Sequence, residues 1–256
     1  MLNSWEDVSL EMYLELIDGI KDDSYDDDET KSFEIVSILL DKSLEDVEDM
    51  DYLEFNKALR NISFMNEPIK SHNCNVIKLA GTKLELINFK DLEFGAFIDL
   101  EHYFTDNYLN NLPIIFSILY RQVVTPTTAL NKAVLEPYGS WLDIRPQLLE
   151  KVPITSLYEV LTKYIEFRQG VYSSYKGMFQ GDEEQLTEQE EKEIISNMTT
   201  KERQEYEQEK RVGKWSWTLM LLKLANNDVT NIDKAASMKV FEALNLLAMK
   251  QELNIA

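Results

Sequence analysis

Apolar residues recur at helical spacing along most of this chain. In "SLEMYLELIDGI", Leu10, Met12, Tyr13, Leu16, Ile17 and Ile20 fall near one helix face, and Ser9 stands where an N-cap is expected. Trp5 precedes that cap and is expected to fold onto the helix. The acidic stretch "KDDSYDDDET" follows as a loop. "KSFEIVSILLDKS" predicts a second amphipathic helix. "SLEDVEDMDYLEFNKALRNISFM" predicts one or two more, with Ser43 and Asp46 forming a short capping box.

The period changes to two in "NVIKLAGTKLELIN". Two short strands around Gly81 predict a β-hairpin at about 75–88. "DLEFGAFIDLEHYF" returns to helical spacing, with Gly95 as a weak point inside it. "NNLPIIFSILYRQVV" predicts a strongly apolar helix that starts near Asn110 or Asn111 with Pro113 in its first turn, and it is the candidate central core helix. The stretch from 124 to 153 holds Pro126, Pro137, Gly139, Pro146 and Pro153. It predicts an ordered loop, because Tyr138, Trp141 and Ile144 need burial. "ITSLYEVLTKYIEFRQGVYSSYKGMF" predicts a helix of several turns.

The stretch 181–210 is densely charged, and pairs such as Glu188 with Lys192 fit a solvated helix or hinge. An interaction arm is the alternative. In "GKWSWTLMLLKLA", Trp215, Leu219 and Leu222 line one helix face, and Trp217, Leu221 and Leu224 another. "NNDVTNID" breaks that helix, with Thr230 or Asp233 as the next N-cap, and "KVFEALNLLAMKQEL" forms a second one. The two make a helical hairpin. The fold class expected is therefore mainly α, a multi-helix domain with one small β-hairpin and a C-terminal helical hairpin. The expected division is 1–180, a charged segment 181–210, and 211–256.

Charge changes the functional picture more than the fold. Asp and Glu number 46 against 26 Lys and Arg, a net charge of -20. Such a chain repels phosphate backbones and anionic lipid surfaces, so neither direct nucleic-acid binding nor a membrane role is expected. The acidity serves solubility, or offers a face to a basic partner. A DNA mimic needs carboxylates concentrated on one face, whereas here they are spread along most helices. The apolar runs are too short for a membrane span, and the opening segment has no basic n-region or apolar h-region of a secretion signal. A soluble protein inside a cell, or in a particle built there, is expected. Cys74 is the one cysteine. It rules out an internal disulfide and reads as a small apolar residue more readily than as a reactive thiol.

No arrangement with catalytic spacing emerges. "GTKLEL" lacks the parts of a phosphate-binding loop, and "YGSW" is not a nucleophile elbow. His72 and His102 share no metal-ligand spacing with each other or with Cys74. Asp99 and His102 stand three apart, as an acid–base pair or any surface contact could. A calcium loop starting at Asp22 would need glycine where Asp27 stands. No cofactor, metal or catalytic activity is expected. Trp215 and Trp217 lie two apart, about 200° around a helix, so both cannot face one core. Trp5, Tyr13, Trp215 and Trp217 are the candidate partner-binding residues, since aromatic anchors dominate interfaces.

The chain as a whole resembles a group of tailed-bacteriophage proteins. "SWEDVSLEMYLELI" is similar to that group's W-E-D opening, and an acidic stretch and helices like "FEIVSILLDKSLEDVEDMDYLEFNKALRNISFM" follow in the same order. A strand pair like "VIKLAGTKLELI", a segment like "DLEFGAFIDLEHYF" and an apolar helix ending like "FSILYRQVV" come next. The C-terminal "GKWSWTLMLLKLANNDVTNIDKAASMKVFEALNLLAMKQEL" resembles the group's tryptophan-led hairpin, whose turn has the form N-(G/N)-D-(I/V)-T. The segment from Thr125 to Pro153 matches least well. Members of this group are virion or morphogenesis components of crAss-like phages and their relatives in Bacteroidetes hosts. The resemblance implies a structural protein of the head–tail or tail region, present in the virion and in host cytoplasm during assembly. Its implied partners are other virion or tail proteins, or copies of itself in a ring. A tail-assembly chaperone absent from the mature particle, or an acidic host-directed regulator, is the alternative. The resemblance supplies no catalytic residues.

Overall fold

In the computed structural model, residues 3–21, 28–72, 75–105, 107–126, 133–140, 142–178 and 216–253 are described. The architecture is mainly α with one small antiparallel sheet. Two compact units are present. One comprises Met1–Ile87 and Leu100–Ile165, the other Asn88–Asp99 and Glu166–Ala256. The C-terminal helices thus share a unit with residues 88–99 and with the stretch that begins at Glu166. The acidic residues 22–27, Cys74, Trp141, Trp215 and the stretch 181–210 lie outside the described residues.

In the first unit, α1 (Leu10–Lys21) begins as the sequence predicts, with the Ser9 hydroxyl accepting from the Met12 amide at 3.3 Å. The next free donors of that helix start, the amides of Leu10 and Glu11, reach the carbonyls of Val152 at 2.9 Å and Glu150 at 3.0 Å. A distant loop therefore finishes the cap that the sequence begins. Helix α2 (Asp28–Leu40) is followed by α3 (Leu44–Glu48) and α4 (Tyr52–Asn61). Ser43 caps α3 by accepting from the Asp46 amide at 3.1 Å and donating to the Asp46 carboxylate at 2.6 Å. Asp51 caps α4, accepting from the Leu53 amide at 2.6 Å. Phe33 and Phe55 join α2 to α4, their ring centroids 4.6 Å apart.

The predicted hairpin forms from β1 (Val76–Leu79) and β2 (Thr82–Leu86). Ala80 and Gly81 both hold positive φ, 47° and 80°, which is what a two-residue type I′ turn requires. The sheet does not stop there. The apolar helix α6 (Leu112–Leu119) ends at Leu119, and the residues expected to continue it become β3 (Tyr120–Thr125), antiparallel to β2. The expectation of one helix through 110–124 is corrected at this point. Pairing with β2 satisfies the backbone that another helical turn would have satisfied. β4 (Val134–Leu135) closes the order β1-β2-β3-β4, with a register irregularity between Val123 and Thr125. Helix α7 (Arg145–Leu149) follows. Helices α5 (Phe94–Thr105) and α8 (Tyr158–Ser174) each cross the boundary between the units.

The second unit adds α9 (Ser216–Leu224), α10 (Ile232–Ala236) and α11 (Val240–Glu252). The expected C-terminal helix pair is present as α9 and α11, with the short α10 between them. The turn after α9 places Asn226 and Asn227 at φ 55° and 60°, a conformation asparagine tolerates better than most residues. Neither Thr230 nor Asp233 caps the long helix. Asp228 accepts from the Thr230 amide at 2.9 Å, and α11 starts later, after Lys239, with the Val240 amide reaching the Leu92 carbonyl at 3.0 Å. Gly95 has a packing reason: a Cβ there would stand 3.0 Å from the Ala236 Cβ.

Candidate functional site

Of the residues singled out for partner binding, the described ones, Trp5, Tyr13 and Trp217, fall into two places. In the first unit, the Trp5 ring stands edge-on to Tyr13 at 6.3 Å and to Phe64 at 5.3 Å, and its indole N–H donates to the Glu67 carbonyl at 2.9 Å. Trp5 does fold onto α1, as predicted. Trp5, Tyr13 and Phe64 are each only partly buried. This is the amphipathic disposition in which aromatic side chains serve interfaces: a fixed ring, one polar atom satisfied, and part of the ring face still in water. Burial pushes the Tyr13 phenol above its ordinary value, and the phenols of Tyr158 and Tyr108 add to the rise.

In the second unit, Trp217 stands edge-on to Phe94 at 6.2 Å and to Phe97 at 5.6 Å. Phe167 extends the same aromatic group, with Phe89 at 5.3 Å and Phe241 at 5.8 Å. Phe94 and Phe97 are fully buried, so Trp217 packs against core. Trp215 lies outside the described residues.

Sequence reasoning missed a group of buried charges. Glu101, Arg121, Glu136 and Arg145 are all buried in the first unit. Arg145 pairs with Glu136, and its guanidinium also donates to the carbonyls of Ser117 at 3.1 Å and Tyr120 at 2.9 Å. The Glu136 carboxylate accepts in turn from the Gln122 amide at 2.9 Å, and the Glu136 amide donates to the Gln122 carbonyl at 2.9 Å. The Arg121 guanidinium lies over the Tyr138 ring, 5.5 Å from its centre. These contacts tie the proline-rich segment to the junction of α6 and β3, where a helix end leaves carbonyls that need donors. The described residues of the segment include β4 and α7, Tyr138 is partly buried, and Ile144 is 51% exposed rather than buried. Its neighbour Arg145 takes the inward position instead.

The donor sets that could carry chemistry are sparse. His72 Nε2 lies 2.7 Å from a Glu6 carboxylate oxygen, both side chains well exposed. The His102 ring stands edge-on to Tyr103 at 5.6 Å, and Asp99 and His102 fall on opposite sides of the unit boundary. Among the described residues, no three His, Cys, Asp or Glu side chains gather as a metal site, and no helix is long and apolar enough to cross a membrane. No protein-family model matches the chain, and no curated protein and no solved structure shows significant similarity to it.

Proposed function

We propose that this chain is a non-enzymatic bacteriophage structural or assembly protein that acts through protein–protein contacts in the head–tail or tail region of the virion. The ordered resemblance along the sequence supports the phage setting. The observation that carries the contact role is the Trp5–Tyr13–Phe64 cluster: three large rings held in fixed mutual geometry and left partly open to solvent. Rigid aromatic side chains lose little conformational entropy on binding and concentrate interface energy. The buried charges serve the same end, because a framework pinned through Arg145 presents its surface without reorganising.

The test is replacement of Trp5 and Tyr13 by alanine in the phage that encodes the chain. The expected result is a fall in assembled particles, while the purified variant keeps its helical circular-dichroism signal. Unchanged particle yield would overturn the assignment of this cluster as the contact surface.

A further inference from the structure

A second surface of the first unit carries a frustrated combination of groups. Tyr52 and Leu53 open α4 and are 79% and 77% exposed. They are the two most exposed among the described large hydrophobic residues. They are not on a mobile tip: the Asp51 cap fixes the turn, and the Asn56 side-chain amide donates to the Tyr52 carbonyl at 2.7 Å. Phe55 and Ala58 face inward from the next turn and anchor α4. Leu44, at the start of α3, is exposed as well.

The same stretch of chain carries the exposed carboxylates of Glu45, Asp46, Glu48, Asp49, Asp51 and Glu54, with no Lys or Arg between Ser43 and Asn56. Among the described residues, none of these carboxylates takes part in an ion pair. Helix N-termini account for part of the set: Asp46 and Asp51 complete caps, and Glu45 and Glu54 lie in first turns, where negative charge is favoured. Glu48 and Asp49 have no such reason. They sit at the C-terminal end of α3, where a helix disfavours negative charge. Folding alone therefore explains neither the uncovered apolar pair nor these two acids.

From this we infer that the α3–α4 corner is a docking surface for a different protein that presents an apolar helix face rimmed by Lys and Arg. Tyr52 and Leu53 pack on that face, and the carboxylates meet the basic rim. Charge selects the occupant. A second copy also carries a net charge of -20, so this corner repels it, whereas a basic rim neutralises the acids as the apolar pair leaves water. The inference rests on the reading of the chain as a contact protein, and it adds a second surface beside Trp5 and Tyr13.

The test uses the full chain and a synthetic amphipathic helical peptide with leucine along one face and lysine flanking it. Titration followed by backbone amide shifts, at low and high salt, reports both place and affinity. Shifts centred on residues 43–56 are expected, with binding at least about tenfold weaker in Tyr52→Ala/Leu53→Ala and weaker at high salt. Because both side chains are exposed, that variant keeps its fold, and circular dichroism checks it. A Glu48→Gln/Asp49→Asn variant is expected to bind more weakly while keeping Tyr52 and Leu53. Equal affinity of the Tyr52→Ala/Leu53→Ala variant, or shifts centred elsewhere, would overturn the proposal. So would self-association of the chain through this corner. None of these outcomes depends on the phage setting, which the composition of purified particles tests separately.

Discussion

Arg145 and Glu136 form an ion pair in which each side chain is only 6% exposed, and the guanidinium also donates to the carbonyls of Ser117 in α6 and Tyr120 in β3. Desolvating two charges is costly, and the pair persists because the Ser117 and Tyr120 carbonyls and the Gln122 amide add hydrogen bonds to it. Removing one member leaves the other charged in a dry place. Arg145→Ala and Glu136→Ala are each expected to destabilise the first unit by about 3–5 kcal/mol. The double variant is expected to cost less than the sum of the two, by at least about 0.5 kcal/mol. Urea denaturation of the four proteins measures this, and strict additivity would mean that the two side chains act independently.

Two glycines in helices give opposite expectations. At Gly95 an added Cβ meets the Ala236 Cβ at 3.0 Å, so Gly95→Ala forces α5 and α10 apart and is expected to cost about 1–3 kcal/mol. At Gly170, inside α8, an added Cβ meets nothing within 4 Å, and Gly170→Ala is expected to gain about 0.4–1 kcal/mol by restricting the unfolded chain. Thermal melting of both variants checks the pair, and the contrast in sign is the informative result.

The raised phenol of Tyr13 links stability to alkaline pH. Its folded value lies above the ordinary 10.0, so between the two values the unfolded chain has released a proton that the folded chain still holds. Stability from this group is complete below about pH 10 and is lost as pH rises through the folded value. Tyr13→Phe is expected to flatten that part of the stability–pH curve. Equilibrium denaturation at a series of alkaline pH values reads it directly, and an unchanged slope would contradict the burial of this hydroxyl.

Lys250 is buried, and its ammonium donates to the Lys223 carbonyl at 2.8 Å and to the Asn226 side chain at 2.6 Å, closing the C-terminal end of α9. Lys250→Met keeps the aliphatic stem and removes the donor. It is expected to cost about 1.5–3 kcal/mol, with faster amide exchange in the turn that holds Asn226 and Asn227. Hydrogen-exchange mass spectrometry of that turn is the check.

Local features were legible in the sequence and long-range ones were not. The Ser9 cap, the Ser43–Asp46 box, Pro113 at the start of α6 and the turn at Gly81 all act within four residues, so spacing alone reveals them. β3 was hidden because "YRQVV" continues an apolar run, and only the pairing of Leu86 with Tyr120 decides against a longer helix. β4 has two residues inside a proline-rich stretch, too short to show a period. Arg145 was overlooked in favour of Ile144 because apolar residues are presumed to turn inward, whereas the carbonyls at the end of α6 needed a donor. Of the candidate contact residues, the sequence placed Trp5 on the first helix correctly, but it could not see that Phe94 and Phe97, more than a hundred residues earlier, pack against Trp217.

The central claim is tested most directly by quantitative mass spectrometry of purified virions from a culture of the phage that encodes this chain. The account predicts the chain in the particle at a fixed copy number relative to the other head–tail and tail proteins. Its absence from purified particles would contradict a structural role; abundance in infected cells would then point to an assembly chaperone or a host-directed regulator.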